Sequence, residues 1–277
     1  MSNNIYGGQV KVGWIAGMPR SGTTWLSQIF ASSPDVRLKF CPLFSYEFKN
    51  LLDEDSSSED WEKLFFDVYR THSEYLDQEY LRKQGLVPTF SDKKENPCNL
   101  FIKSTRFHNL IPHILKLNIG IRFVHLVRNP CATIHSWLTN PNEFPSHANP
   151  VEEWRHGECR KTGPGEYWGF NDWVDVTSQA LQLEAIYPDQ FKILRYENLV
   201  ENTHNCVEEM FRYFGIPLLE QTENFIKLSH RVHDANKRSV FKDPKQCDSW
   251  KTELDPLIVS ECMRELKNTD LEQFLVD

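Results

Sequence analysis

The residues best suited to chemistry lie in one short run, Gly17-Met18-Pro19-Arg20-Ser21-Gly22-Thr23-Thr24-Trp25. Two glycines enclose four residues, and two threonines follow. That spacing suits a turn between a strand and a helix which cradles a phosphate. Backbone N–H groups in such a turn point at the anion, and the helix N-terminus adds partial positive charge. Gly22 lets the backbone approach without a Cβ clash, and the threonine hydroxyls offer further donors. A nucleoside triphosphatase carries lysine directly after the second glycine; here that position is Thr23, and a cation stands inside the loop instead, at Arg20. Triphosphatases also need an acidic Mg²⁺ ligand, commonly an Asp after a strand. The apolar run 121–127 ends in Arg128, the opposite charge. The loop therefore reads as a cradle for an anion that requires no metal.

The elements that must position this loop follow from hydrophobic pattern. Residues 10–16 form a short apolar run that predicts a buried strand, and residues 24–30 put Trp25, Leu26, Ile29 and Phe30 on one helical face. Further strands are expected at 99–103, 121–127 and 191–195. Helices are expected at 61–80, 108–117, 131–138, 173–186, 200–214 and 256–266, with 53–60 a loop or helix start. Residues 139–165, rich in Pro, Asn, His and Gly, predict a long loop of the kind that walls a substrate pocket. Residues 231–250 read as irregular. Strands alternating with helices give an α/β fold, a mostly parallel central sheet flanked by helices. Ligands in such sheets gather at the carboxyl ends of the strands, where residues 17–25, 103–106 and 128–136 fall. The length fits a single domain, 1–277, with insertions near 41–90 and 139–165 building an acceptor pocket.

Composition narrows the function. With 31 basic and 39 acidic residues the net charge is −8, which argues against a general nucleic-acid binder, since that task needs a basic face. Seven cysteines at wide spacing include no CxxC pair, so a zinc or redox motif is not expected and reduced thiols in a cytoplasmic protein are. No run reaches the ~18 apolar residues that span a bilayer, and residues 1–9 lack the apolar stretch of a signal peptide.

With Pro19-Arg20-Ser21-Gly22-Thr23-Thr24-Trp25 in view, the chain resembles the sulfotransferases that use 3′-phosphoadenylyl sulfate (PAPS), whose 5′-phosphosulfate loop reads PKSGTTW or PRSGTTW. Arg128, Pro130 and Ser136 match the spacing with which that family holds the 3′-phosphate, and Tyr196-Glu197-Asn198 is similar to its Tyr-Glu-Asp. The resemblance implies a P-loop, nucleotide-kinase-like sulfotransferase fold. It implies PAPS as co-substrate and adenosine 3′,5′-bisphosphate (PAP) as product. Arg20, Ser21, Gly22, Thr23 and Thr24 would hold the 5′ group, Arg128 and Ser136 the 3′-phosphate, and Trp25 and Tyr196 the adenine. The family's C-terminal Arg-Lys-Gly element has no counterpart here, and Arg238 or Lys242 would substitute for it.

The resemblance also implies catalytic cations at Arg20 and at Lys103, which matches the lysine of the family's Lys-Thr-His segment. Two residues further on, where small-molecule members place a histidine base, this chain has Thr105. His108, reaching back, and Glu47, as in members acting on carbohydrate and protein, are the candidate bases. The acceptor would be a small molecule presenting a hydroxyl, amine or guanidine. The aromatics Phe44, Tyr46, Phe48, Phe144, Trp154, Tyr167 and Trp168 are available to hold it, and Glu47, Glu143, Glu152 and Glu153 permit a cationic one, as in bacterial secondary-metabolite branches acting on guanidinium alkaloids. No partner beyond the acceptor, nucleic acid and membrane included, is implied, and the dimerisation segment of the animal cytosolic enzymes is not visible, so the oligomeric state stays open. A P-loop nucleotide kinase or NTPase, and a non-catalytic nucleotide-binding protein, are the alternatives.

Overall fold

A computed structural model describes residues 10–241 and 248–275. Among these, β1 (Lys11–Ala16) leads into α1 (Thr23–Ala31), β2 (Val36–Phe40), α2 (Ser58–Arg70), α3 (Glu79–Lys83) and β3 (Asn99–Ser104). Then come α4 (Ile111–Leu117), β4 (Arg122–Val127), α5 (Pro130–Leu138), α6 (Pro150–Glu153), α7 (Gly169–Ile186) and β5 (Phe191–Arg195). The chain closes with α8 (Tyr196–Glu201), α9 (Thr203–Phe214), α10 (Glu220–Arg231), α11 (Trp250–Glu253) and α12 (Pro256–Leu266).

The five strands form one all-parallel sheet in the order β2-β3-β1-β4-β5. Period-2 alternation splits their side chains between two cores. Trp14, Leu100, Ile102 and Phe123 pack on one face with Trp61 and Leu64 of α2, Ile114 of α4 and Leu183 of α7. Ile15, Phe101, Val124 and Leu126 pack on the other with Ile29 and Phe30 of α1, Phe211 of α9 and Phe225 of α10. Both faces are covered, which is why the strands read as near-continuous apolar runs. A third cluster joins Trp173 of α7 to Trp250, Ile258 and Cys262 near the C-terminus. The connection after β1 runs toward β2, whereas that after β4 runs toward β5. The loops at the carboxyl ends of β1 and β4 thus part to either side and open a crevice there.

Three helical expectations are corrected. The helix expected at 61–80 ends at Arg70, and a separate short α3 follows. The cause is Lys39, whose side chain is fully buried and whose ammonium is satisfied by the Thr71 carbonyl and by Asp77 at 2.7 Å. Thr71 must leave the helix, into extended backbone, to present that carbonyl. The helix expected at 200–214 is two, α8 and α9, because Asn202 leaves helical geometry between them. Residues 108–110 form a 3-10 turn ahead of α4. β2 and α10 fall outside the sequence reading, as do the one-turn helices α6, within the expected loop 139–165, and α11: β2 carries Arg37 and Lys39, and α10 is largely polar.

Candidate active site

The loop after β1 is held in shape by its own backbone. Gly17 has φ 151°, and a Cβ there would lie 2.5 Å from the Leu126 carbonyl oxygen. Arg20 adopts the left-handed region at φ 72°. The Ser21 N–H donates to the Met18 carbonyl at 3.2 Å, and the Ser21 hydroxyl donates to the same oxygen. Ser21 is 1% exposed and is absent from the cleft wall, so its side chain braces the loop, a correction to its expected place among the ligand-facing groups. Gly22, at φ 90°, caps α1 without a side chain to consume the N–H groups of the first turn, and no acid stands in that turn. Thr23, Thr24 and Trp25 face a cleft of about 460 Å³.

Arg128 leaves β4 on the opposite lip. Its carbonyl accepts from the Trp173 indole at 3.0 Å, its guanidinium lies 4.7 Å from the Tyr196 ring, and one Nη donates to the Arg20 carbonyl at 3.1 Å. Its Nε is buried and has no hydrogen-bond partner among the described residues. Such a donor is costly unless something accepts from it. The turn beneath is fixed by Asn129, which caps α5 and whose own N–H donates to the Glu197 carboxylate at 2.9 Å. Burial raises the Glu197 pKa, opposed by that hydrogen bond. Glu197 is thus a backbone brace for the Arg128 turn.

Arg20 spans the gap between the two lips. Its Nε donates to Ser136 Oγ of α5 at 3.2 Å, one Nη donates to the Lys237 carbonyl at 2.7 Å, and the other lies 3.5 Å from Glu143 Oε2. Burial lowers its pKa, with Glu143 opposing. Arg238 also lines the cleft; Lys242 lies outside the described residues. On the same side Trp25 donates from its indole to Ser229 Oγ at 3.1 Å and meets Tyr196 and His230 edge-on at 6.4 and 5.5 Å. A Cβ on Gly22 would fall 2.5 Å from the Tyr196 ring, so the loop and this aromatic wall are in direct contact. Ser229 and His230 come from α10, a helix whose polar sequence gave no signal.

The other half of the cleft surrounds Lys103. Its ammonium sits 4.5 Å from the Phe40 ring, and burial pushes its pKa down to about 8. Thr105, Arg106, Phe44, Tyr75, Arg160 and Trp168 complete this half. Arg106 stacks 3.5 Å from Phe44 and pairs with buried Glu166 at 2.6 Å.

Both candidate bases are displaced from it. His108 is 1% exposed, packed against Tyr167 and His125, and absent from the cleft wall; burial drives its pKa to about 4. The 3-10 turn at the start of α4 points it into the protein. Glu47 is exposed and outside the cleft; desolvation opposes the shift, but hydrogen bonds from its own backbone N–H and from Ser73 and Ser45 lower its pKa.

Of the seven aromatics expected around an acceptor, Phe44 and Trp168 line the cleft. Tyr46 is 96% exposed, Phe48, Phe144 and Trp154 belong to cores, and Tyr167 packs against one of them and against His108, outside the cleft wall. Glu143 alone of the four expected glutamates faces the cleft among the described residues, and the surrounding cations outnumber it. The wall therefore does not favour a cationic acceptor.

Among the described residues no helix is long and apolar enough to cross a membrane. None of the six described cysteines is in a disulfide.

Comparison with known proteins agrees with this geometry. The chain matches the sulfotransferase domain family over residues 12–267. It is 25% identical over 153 residues to carbohydrate sulfotransferase 3 of Tetronarce californica, covering 51% of this chain and 33% of that protein. It is 25% identical over 177 residues to carbohydrate sulfotransferase 5 of Mus musculus, covering 60% and 42% respectively. The matched segment is thus less than half the length of either relative. In fold it is similar to mouse sulfotransferase SULT7A1 complexed with PAP, with a TM-score of 0.53 at 14% identity over 98% of this chain and 91% of the other. It is also similar to the sulfotransferase domain of the Synechococcus PCC 7002 olefin synthase, with a TM-score of 0.56 at 17% identity over 98% and 96%. These matches favour sulfuryl transfer over phosphoryl transfer. With a sheet, a lysine-free phosphate loop and a second cationic lip all in place, the chain belongs to the sulfotransferase domain family.

Proposed function

We propose that the protein moves a sulfuryl group from PAPS to a small-molecule acceptor by in-line transfer. One observation carries the reading. The buried, unpartnered Arg128 Nε stands across the crevice from an uncapped helix N-terminus. Two anion-binding points on opposite lips suit a nucleotide phosphorylated at both ends of its ribose. In this reading the α1 N-terminus, Thr23 and Thr24 hold the 5′ phosphosulfate, and Arg128 and Ser136 hold the 3′-phosphate, with Arg238 beside them. Trp25 and Tyr196 flank the adenine. The residues fit the group: planar arginine forks and backbone N–H donors match phosphate oxygens without a metal.

When bound, the donor supplies an activated sulfuryl group. The chain supplies charge and position. Arg20 and Lys103 sit where negative charge grows on the transferring oxygens and the departing phosphate, and preorganised cations there lower the barrier. Phe40, Phe44, Tyr75 and Trp168 give the acceptor an apolar seat and exclude water. The chain then works as one unit, cytoplasmic in setting, with 41–90 and 139–165 walling the acceptor side.

The test is a thermal shift with PAP and with ATP–Mg²⁺, then transfer of label from PAPS to an acceptor panel of phenols, alcohols, amines and guanidines. Stabilisation by PAP and labelled product are expected. Stabilisation by ATP–Mg²⁺ alone would overturn the reading.

A further inference from the structure

We propose that Glu143 is the catalytic base, taking the acceptor's proton as the sulfuryl group moves. The inference rests on the transfer reaction just proposed. Among the described residues Glu143 is the only carboxylate in the cleft wall. Its Oε2 is buried and makes no hydrogen bond, and its one close partner is Arg20 at 3.5 Å. It also sits near enough to Lys103 to raise the pKa of that ammonium. The two cations that flank the transferring group therefore both feel this carboxylate, which places it at the transfer point.

Its position is fixed. The Glu143 N–H donates to the Asn140 carbonyl at 3.0 Å, and the next residue, Phe144, is anchored against Trp137 at 5.3 Å in a buried aromatic cluster. A base must be held by such support to act at a defined atom. The two histidines of the cleft wall are engaged. His135 of α5 lies 3.2 Å from Glu253 and 3.4 Å from Ser249, and His230 is bonded to Thr203 on the adenine side at 2.9 Å. Tyr80 of α3 is raised by burial, and Lys103 is cationic below about pH 8.

The step balances. The acceptor oxygen forms the new bond to sulfur while the sulfur–oxygen bond to the donor phosphate breaks and leaves its electron pair on that phosphate. The hydroxyl proton passes to the Glu143 carboxylate, whose side chain is 19% exposed.

The experiment compares wild type, Glu143→Gln and Glu143→Asp with labelled PAPS and two acceptors, phenol and 4-nitrophenol. The second is far more acidic and needs little help to lose its proton. Glu143→Gln should lower kcat with phenol by about 100-fold or more and cost much less with 4-nitrophenol. Glu143→Asp should recover part of the loss. PAP affinity should be unchanged or tighter, since a negative charge leaves the cleft, and this shows that the variant is folded. Equal losses on both acceptors, or a phenol rate within threefold of wild type, would sink the assignment while leaving the transfer reaction standing. Wild-type protein that moves no label to either phenol or to the wider panel overturns the transfer reading, and the base with it.

Discussion

The two halves of the cleft were built in different ways. The half proposed to hold the donor is built largely from segments that follow strands, 17–25 after β1, Arg128 after β4 and Tyr196 after β5, with Ser229 and His230 added from α10. A parallel sheet brings these ends to one edge, so sequence spacing alone nearly defines the geometry. In the other half Phe40 ends β2 and Lys103 lies near the end of β3, but Phe44, Tyr75, Arg160 and Trp168 come from separate stretches between the strands. What unites them is packing, and packing leaves no spacing to read. One half is set mainly by topology, the other mainly by long-range contact.

This contrast can be broken by substitution. The largest effect should come from Lys103, which sits where the halves meet. Lys103→Ala should reduce kcat about 100- to 1,000-fold, the scale for removing one preorganised charge from a transition state, measured by labelled transfer. Its pKa, lowered to about 8 by burial, adds a pH signature. The ammonium is present below that value and lost above it, so kcat/KM for the donor should fall as pH rises through about 8. That parameter reports the free protein. Lys103→Arg should move the limb out of range, whatever it does to the rate.

Next in size is Arg128→Ala. It should weaken PAP binding by ~1.5–3 kcal/mol, the scale of a charged hydrogen bond, while adenosine 5′-phosphate, lacking the 3′ group, binds as before. Calorimetry with both ligands decides it; equal loss on both would move the 3′-phosphate elsewhere. Gly22→Ala should cost ~1–3 kcal/mol of stability through positive φ and collision with Tyr196, read as a lower Tm, and should weaken PAP binding as the adenine wall shifts. The smallest effect belongs to Glu47→Gln. An exposed side chain away from the cleft should change stability and turnover by no more than ~0.5 kcal/mol. A large loss of kcat there would restore it as a base.

The sequence conveyed four of the five strands, whose cores are apolar, and the last helix: 191–195 matches β5, and 256–266 matches α12. It conveyed the absence of a lysine after Gly22 and the cation at Arg20. It did not convey β2, since Lys39 is buried through partners at Thr71 and Asp77 that only the fold supplies. It put His108 in the cleft wall, where the structure does not, for a similar reason. His108 is near Lys103 in sequence, but the turn into α4 carries its ring into the protein, whereas Glu143, forty residues away, is brought beside Arg20 by the fold. Ser21 misled differently: its hydroxyl is equally suited to bracing a loop and to meeting a phosphate.

The contact between Arg20 and Ser136 draws both lips of the cleft into a cationic patch, while the chain as a whole carries −8. An anionic nucleotide therefore approaches through a repulsive far field and arrives in an attractive near field. The two have different reach, since charges beyond about 8 Å are largely screened at physiological salt. Modest salt strips away the far field first, and higher salt weakens the pocket itself. Nucleotide capture is then fastest at an intermediate ionic strength, set by how the protein's charge is divided between its skin and its cleft.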